Sequence, residues 1–350
     1  MVSIMKKILV AMSGGVDSAA ACAILKKQGY KVAGGTMLLR DGGEAESEDA
    51  RIAAKQMGIE FFAFDLRKEF FERVITPFMR VYQDGGTPNP CVVCNGAMKF
   101  GIFLEKALEL GFDGIATGHY ARIEEKDGRF LLRVAADRQK DQTYMLCGLN
   151  QFQLAHTIFP LGDVVSKDET RALAIEAGLD LAKKRDSQDI CFIPDGDYMA
   201  YLTSHGVVPQ KGNFVSPDGK IYGAHRGMEG YTVGQRRGLG LAFGERVYVL
   251  GKRGTDVILG QEEALFSKTV AVENVNYIPF DALNTPMRVQ AKLRYTPRTA
   301  QATLIPSENG CILEFDEPQR AATKGQTAVF YDGDTVLGGG VIASQSDAAI

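Results

Sequence analysis

Short apolar runs alternate with amphipathic stretches through the first half of the chain. Residues 6 to 12, Lys-Lys-Ile-Leu-Val-Ala-Met, hold an unbroken apolar run from Ile8 to Met12 that predicts a strand buried on both faces. A Ser-Gly-Gly turn comes next, then a helix from about Asp17 to Gln28 that stops at Gly29. The alternation continues with strands near 31–38 and 59–64, helices near 47–57, 67–83 and 98–110, and a strand at 114–117. Strand and helix in regular succession predict an α/β fold with a doubly wound parallel sheet and ligands at the carboxyl ends of its strands. The Gly- and Pro-rich segment 84–96 reads as a loop, and 121–134 reads as a hairpin about Asp127-Gly128. Helices near 150–156 and 166–177 come after it. Beyond about residue 205 the texture changes to short strands separated by Gly, Pro, Asn and Asp, which predicts one or two small β domains. With breaks near 205 and 267, the expected units are 1–204, 205–267 and 268–350.

Composition narrows the class. The chain has 350 residues, 45% hydrophobic and 24% charged, enough for two or three domains that each bury a core. Its longest apolar runs fall far short of the roughly 20 residues of a membrane helix, and the run behind Lys6 and Lys7 is too short for a secretory segment. A cytoplasmic protein without a membrane partner is expected. Forty basic side chains against 43 acidic ones give a net charge of -3, which argues against a surface that coats polyanions throughout. That total conceals residues 205–253, where eight Lys and Arg face three acidic residues, a local +5.

Two constellations carry chemistry. Ser13-Gly-Gly-Val-Asp-Ser18, between a strand and a helix, lets consecutive N–H groups and the positive helix end face an anion. It lacks the lysine of a Walker A loop and the third glycine of a Rossmann fingerprint. It resembles the pyrophosphatase-type loop of ATP-dependent adenylating enzymes, in which Asp17 would hold Mg²⁺ or orient the loop. Among six cysteines, only Cys91 and Cys94 lie close together; Cys22, Cys147 and Cys311 sit in apolar stretches and read as core. His156, His205 and His225 have no motif around them and read as structural or solvent-facing.

Gly86-Thr-Pro-Asn-Pro-Cys-Val-Val-Cys-Asn95, Ala116-Thr-Gly-His-Tyr120, Lys140-Asp-Gln-Thr-Tyr144 and Asp186-Ser-Gln-Asp-Ile-Cys-Phe-Ile193 occur in that order. Gly234-Gln-Arg-Arg-Gly-Leu-Gly240, Arg294-Tyr295 and Gly325-Gln-Thr-Ala-Val-Phe-Tyr331 complete the series. Over essentially the whole chain this series resembles the tRNA-specific 2-thiouridylases of the MnmA/TrmU family. The resemblance implies a PP-loop domain of the adenine-nucleotide alpha-hydrolase type, a small central domain and a C-terminal β-barrel. It also implies ATP- and Mg²⁺-dependent replacement of the carbon-2 oxygen of a tRNA wobble uridine by sulfur from a cysteine desulfurase, a persulfide carrier or sulfide. Residue by residue, it places ATP over Ala11, Met12, Ser13, Gly14, Gly15, Val16, Asp17 and Ser18, with Met37 at the adenine and Gly118 near the ribose or phosphate. By the same resemblance, Cys191 carries the persulfide and Cys94 is its nucleophilic partner. Asn89, Pro90, Cys91, His119, Lys140, Asp141, Gln142, Arg294, Tyr295 and Gln326 match positions that contact tRNA. The cations Lys183, Lys184 and Arg185 are expected to lower the thiol pKa values.

Two departures from the family stand out. Many members have Asp where this chain has Cys91, so Cys91, Cys94 and Cys191 also resemble the three ligands of a 4Fe-4S cluster with one iron open for sulfide. A transient disulfide mechanism and a structural zinc are the alternatives at this point. Leu38-Leu-Arg-Asp-Gly-Gly43 is shorter than the corresponding segment of many relatives. The competing functions are another PP-loop ATP pyrophosphatase, such as a tRNA-modifying ligase or an amide synthetase, and a nonenzymatic RNA-binding or redox protein.

Overall fold

The computed structural model describes residues 6–176, 178 and 190–343. Strands β1 (Lys7–Ala11), β2 (Lys31–Leu38), β3 (Phe61–Asp65) and β4 (Gly114–Ala116) pair in parallel in the order β3-β2-β1-β4, and a two-residue strand at 157–158 adds to β4. Alternation along β1 sends Ile8 and Val10 to one core and Leu9 to the other. The first core is roofed by α1 (Val16–Lys27) and α2 (Glu44–Gln56), whose alanines Ala19, Ala20, Ala53 and Ala54 bring the backbones close. The opposite core is filled by Phe100, Phe103, Leu104 and Ala107. Both faces are therefore covered, as a doubly wound sheet requires. Truncating Leu9, which is fully buried, to Ala would cost about 2–5 kcal/mol.

The order of connection reverses between β1 and β4, so the crevice at their carboxyl ends is the expected ligand site of such a sheet. The segment after residue 84 departs from the expected loop. Helix starts at Pro90 and runs on to residue 109, because Asn89 caps it by accepting from the Val92 N–H at 3.4 Å and Pro90 supplies the preset first turn. Its middle, Asn95–Ile102, is a π-helix. A Cβ at residue 101 would stand 2.9 Å from the Gly96 carbonyl oxygen, so the wide turn depends on Gly101.

The hairpin at 121–134 forms where expected, with Asp127 and Gly128 both at positive φ. It serves a different sheet from the one that precedes it. Its second strand, Arg129–Arg133, pairs with Thr335–Ile342 and so fastens the parallel-sheet domain to the C-terminal barrel. That barrel has six antiparallel strands and is closed by pairing of Phe266–Tyr277 with Thr335–Ile342. Along the chain, a four-stranded sheet of residues 212–260 comes between the parallel-sheet domain and the barrel. Cys22, Cys147 and Cys311 are buried in cores, consistent with their sequence reading. His225 is buried with Nε2 on the Thr255 carbonyl at 2.9 Å, and His205 is an exposed residue stacked on Tyr201.

Candidate active site

The crevice between β1 and β4 holds the glycine loop. Ala11 ends β1, Met12 is buried, and Gly14 takes φ +67, where a Cβ would lie 2.7 Å from Asp49 Cβ. Gly15 caps α1 without a side-chain bond, which leaves the first-turn N–H groups without a side-chain acceptor. Ser18 Oγ accepts from the Ser13 N–H at 3.4 Å and donates to the Gly15 carbonyl at 3.1 Å, which fixes the curl. Ser13 is exposed and Val16 is buried. Gly118 backs directly onto this turn, since a Cβ there would stand 2.8 Å from the Asp17 carbonyl carbon. Asp17 Oδ1 accepts from Lys167 Nζ at 2.7 Å and from the Tyr120 hydroxyl at 3.1 Å. A cradle of backbone donors with one carboxylate at its edge suits a magnesium-bound polyphosphate.

Met37, near the end of β2, packs against the same apolar cluster as Cys94, built from Leu66, Phe70, Phe78, Met98 and Phe192. The cluster thus joins the end of β2 to Cys94. Cys91 and Cys191 are exposed and Cys94 is half-buried, and all three are free thiols. Cys94 feels both Cys191 and Cys91, and Cys191 feels Cys91, so residues distant in sequence share one electrostatic neighbourhood. The expected acidification is reversed. Burial pushes the Cys94 thiol up to about 11, against the smaller opposing pull of Lys99, and burial also raises Cys91 and Cys191. Lys183, Lys184 and Arg185 lie outside the described residues. Among the described residues, no three His, Cys, Asp or Glu side chains are gathered so as to hold a metal ion.

Lys99 is the residue the sequence reading missed. It acts on all three thiols and on His119. Under α-helical periodicity a side chain five positions beyond Cys94 points well away from it, whereas the π-helix is built on an i to i+5 relation. Lys167 was also missed, because nothing local to its helix marks it as a partner of Asp17.

The residues expected to meet RNA fall into two groups. Arg294 is exposed, Tyr295 is 52% exposed, and Lys140 is half-exposed. Cys91 is exposed as well, and the others are engaged within the protein, as is the hydroxyl of Tyr295. His119 is buried, packed beside Phe100 and Phe159 with Nδ1 2.7 Å from Thr117 Oγ1, and burial drives its pKa well down, so the ring is neutral. Asp141 is buried and accepts from Thr143 Oγ1 at 2.7 Å, while Gln142 Oε1 accepts from the Tyr120 N–H at 3.0 Å. Pro90 is buried and Asn89 serves as the helix cap. Gln326 Nε2 donates to the Thr87 and Pro88 carbonyls at 3.0 and 3.1 Å, and the Tyr295 hydroxyl donates to the Asp141 carbonyl at 3.1 Å. The C-terminal barrel thereby fixes the segment that leads into Cys91. The Gly234–Gly240 loop presents Arg236 and Arg237 to solvent and approaches the same segment through Thr232 Oγ1, 3.3 Å from Thr87 Oγ1.

Comparison with known proteins gives three consecutive family matches: a tRNA methyl transferase HUP domain over residues 6–195, a tRNA methyl transferase PRC-barrel domain over 200–259, and an aminomethyltransferase beta-barrel domain over 267–342. A tRNA-specific 2-thiouridylase MnmA 1 of Clostridium tetani is 47% identical, with 97% of each chain covered. MnmA of Halothermothrix orenii is 46% identical over 97% of this chain and 99% of that one, and MnmA of Clostridium acetobutylicum is 45% identical over 96% and 99%. With a HUP domain carrying the glycine loop and relatives of this identity spanning nearly the whole length, the chain belongs to the tRNA-specific 2-thiouridylase MnmA family.

Proposed function

We propose that the protein is an ATP-dependent tRNA-uridine 2-sulfurtransferase acting on the wobble uridine. The observation that carries this reading is that Met37, on the strand paired with the one that ends in the phosphate-type loop, packs against the same apolar cluster as Cys94, whose thiol in turn feels Cys191. ATP occupies the β1/β4 crevice, with Ala11 to Ser18 on its phosphates, Met37 at the adenine and Gly118 near the ribose or phosphate. Asp17 would hold Mg²⁺, which would supply positive charge beside the pyrophosphate when bound. The uridine carbon-2 oxygen attacks the α-phosphorus, pyrophosphate leaves, and carbon-2 becomes electrophilic. A desulfurase or persulfide carrier loads Cys191, and the terminal persulfide sulfur adds to carbon-2 as AMP departs with the oxygen. Cys94 thiolate then attacks the Cys191 sulfur, which releases the thiolated base and leaves a Cys94–Cys191 disulfide for a reductant to open. Because burial holds Cys94 as a thiol, this attack needs a proton acceptor or a rearrangement that accompanies RNA binding.

Asn89, Pro90, Cys91, His119, Lys140, Asp141, Gln142, Arg294, Tyr295 and Gln326 form the RNA-facing rim. Those already bonded internally act by holding the rim's shape. A base attacked at carbon-2 leaves its stack, and Tyr295 beside Tyr144 offers it an aromatic surface. The units are 1–204 for catalysis, 205–267 for a basic grip and 268–350 for the barrel that fixes the cysteine segment. The setting is the cytoplasm; no helix among the described residues is long and apolar enough to cross a membrane.

A second reading gives Cys91, Cys94 and Cys191 to a 4Fe-4S cluster that delivers sulfide. The donor set suits iron, and the mutual influence of the three thiols favours it. The described residues are not gathered as a metal site, so the persulfide route stands first. The test is thiolation of unmodified tRNA by protein purified without oxygen. Colourless protein that works from a persulfide donor supports the first reading; dependence on iron and sulfide, with Cys91→Ser inactive, supports the second. A Cys94→Ser/Cys191→Ser protein with full turnover overturns both.

A further inference from the structure

A cavity of about 110 Å³ lies at the seam between the catalytic domain and the C-terminal barrel, lined by Arg138, Asp141, Gln290, Lys292, Thr299 and Tyr331 among others. It is built by strand register. Val289 and Ala291 point into the barrel core, so Gln290 and Lys292 share the outer face, and Tyr331 is the direct partner of Gln290 on the neighbouring strand. Residues 134–141 of the catalytic domain close the other side.

The lining is rich in donors. Tyr331 is 2% exposed, and no group meets hydrogen-bond geometry with its hydroxyl; the Thr143 hydroxyl, which donates to Asp141, is close enough to act on it without completing a bond. Lys292 Nζ lies 5.1 Å from the centre of the Tyr331 ring, and neither Lys292 nor Arg138 is ion-paired among the described residues. The one carboxylate, Asp141, acts electrostatically on Lys292 and Tyr331, but its hydrogen bonds go to its own turn: it accepts from the Ala135 N–H at 3.2 Å, the Thr143 N–H at 3.4 Å and Thr143 Oγ1 at 2.7 Å. Two cations and a buried orphan hydroxyl around one opening call for an anion with several acceptor oxygens. The volume is well under the roughly 300–1,000 Å³ of a small-molecule site, so the opening suits one group of a larger molecule. Its place decides which molecule: Asp141 belongs to the turn whose carbonyl anchors Tyr295 on the RNA-facing rim.

We propose that this cavity binds a backbone phosphate of the RNA substrate beside the nucleotide that enters the active site, with Lys292 and Arg138 supplying charge and Tyr331 a directed hydrogen bond. The proposal rests on the reading of the chain as a tRNA-thiolating enzyme. Burial lowers the pKa of Lys292 against the smaller opposing pull of Asp141, and a phosphate bound against it would offset the remaining cost.

The experiment measures binding of an unmodified anticodon stem-loop as a function of salt, together with ATP-dependent thiolation of the same RNA. Lys292→Met should weaken binding about five- to tenfold and reduce the salt slope by about 0.7–0.9, the value of one phosphate contact, while Lys292→Arg keeps the slope. Tyr331→Phe, which removes a single oxygen, should weaken binding about two- to fivefold with the slope unchanged. In wild type, one neutral methylphosphonate near the wobble position should weaken binding as Lys292→Met does, and combining the two should add nothing further. Folded Lys292→Met with native affinity and slope, or a methylphosphonate scan with no coupled position, overturns the assignment. So does inorganic phosphate that shifts the Lys292 side-chain resonance while RNA binding ignores the substitution, which would mark a small-anion site. Wild-type protein that fails to thiolate the RNA at all overturns the underlying function instead.

Discussion

Lys167 Nζ lies 2.7 Å from Asp17 Oδ1 and ties the start of the 167–176 helix to the glycine loop. The two side chains are only 15% and 33% exposed, so the pair is less screened than a surface bridge. An incoming triphosphate meets a carboxylate whose charge is already balanced. Lys167→Met leaves that charge to Mg²⁺ alone and takes one cation away from the phosphates. We expect ATP affinity to fall about 10- to 100-fold, near 1.4–2.7 kcal/mol, with RNA affinity retained. Calorimetric titration with Mg²⁺-ATP checks this, and unchanged affinity would remove Lys167 from the phosphate site.

Lys99 sets the ionisation of the thiols against the burial that raises them. A cation favours thiolate, so Lys99→Met moves the Cys94 titration further above its already raised value. Site-resolved alkylation by iodoacetamide across pH should show the Cys94 profile displaced upward and thiolation at neutral pH slowed on the order of tenfold. Lys99→Arg should restore both. A profile that stays in place would mean Lys99 only packs against the helix.

The parallel sheet was legible because β1 is a continuous apolar run and because Ser13 to Ser18 stands between a strand and a helix. The central site was legible only in part. Asn89 and Pro90 are a helix cap and first turn, but the prolines and glycines around them outweighed that signal, and the segment read as a loop. Lys99 was hidden because a π-helix breaks the periodicity on which helix reading depends. Lys167 and the Lys292 cavity depend on tertiary and inter-strand register that no local pattern encodes. His119, Asp141 and Gln142 were recognisable as motif residues, yet their side chains turn inward and bond within the protein.

The basic stretch at 205–253 is narrower in space than in sequence. Lys252 is drawn into the interior with its ammonium unpartnered, and the acidic Glu229 is fully buried, whereas Arg236 and Arg237 are exposed on the glycine-flanked loop. Reversing both charges, Arg236→Glu with Arg237→Glu, should weaken tRNA binding at least tenfold and flatten its dependence on salt, with ATP binding unchanged. Filter binding over a salt series reads both quantities. Native affinity and slope would reduce the loop to solvated surface.

Lys252 carries a stability cost with a defined pH window. Burial holds its pKa down to about 8, against an ordinary 10.5, and Glu229 offsets only part of that. Its stem packs on Gly85, so the charge sits under the segment leading to Cys91. Below pH 8 the group is protonated both folded and unfolded, and the full desolvation cost is present. Between 8 and 10.5 the unfolded chain binds the extra proton, so stability rises with pH through this window, and above it the cost is gone. Lys252→Met removes the charge and keeps the stem. It should stabilise the protein at pH 7 by about 1–3 kcal/mol, an advantage that shrinks toward zero as pH approaches 10.5. Urea unfolding of both proteins at about pH 7 and about pH 10 measures the difference, and an advantage that does not change with pH would assign the effect to packing instead of charge.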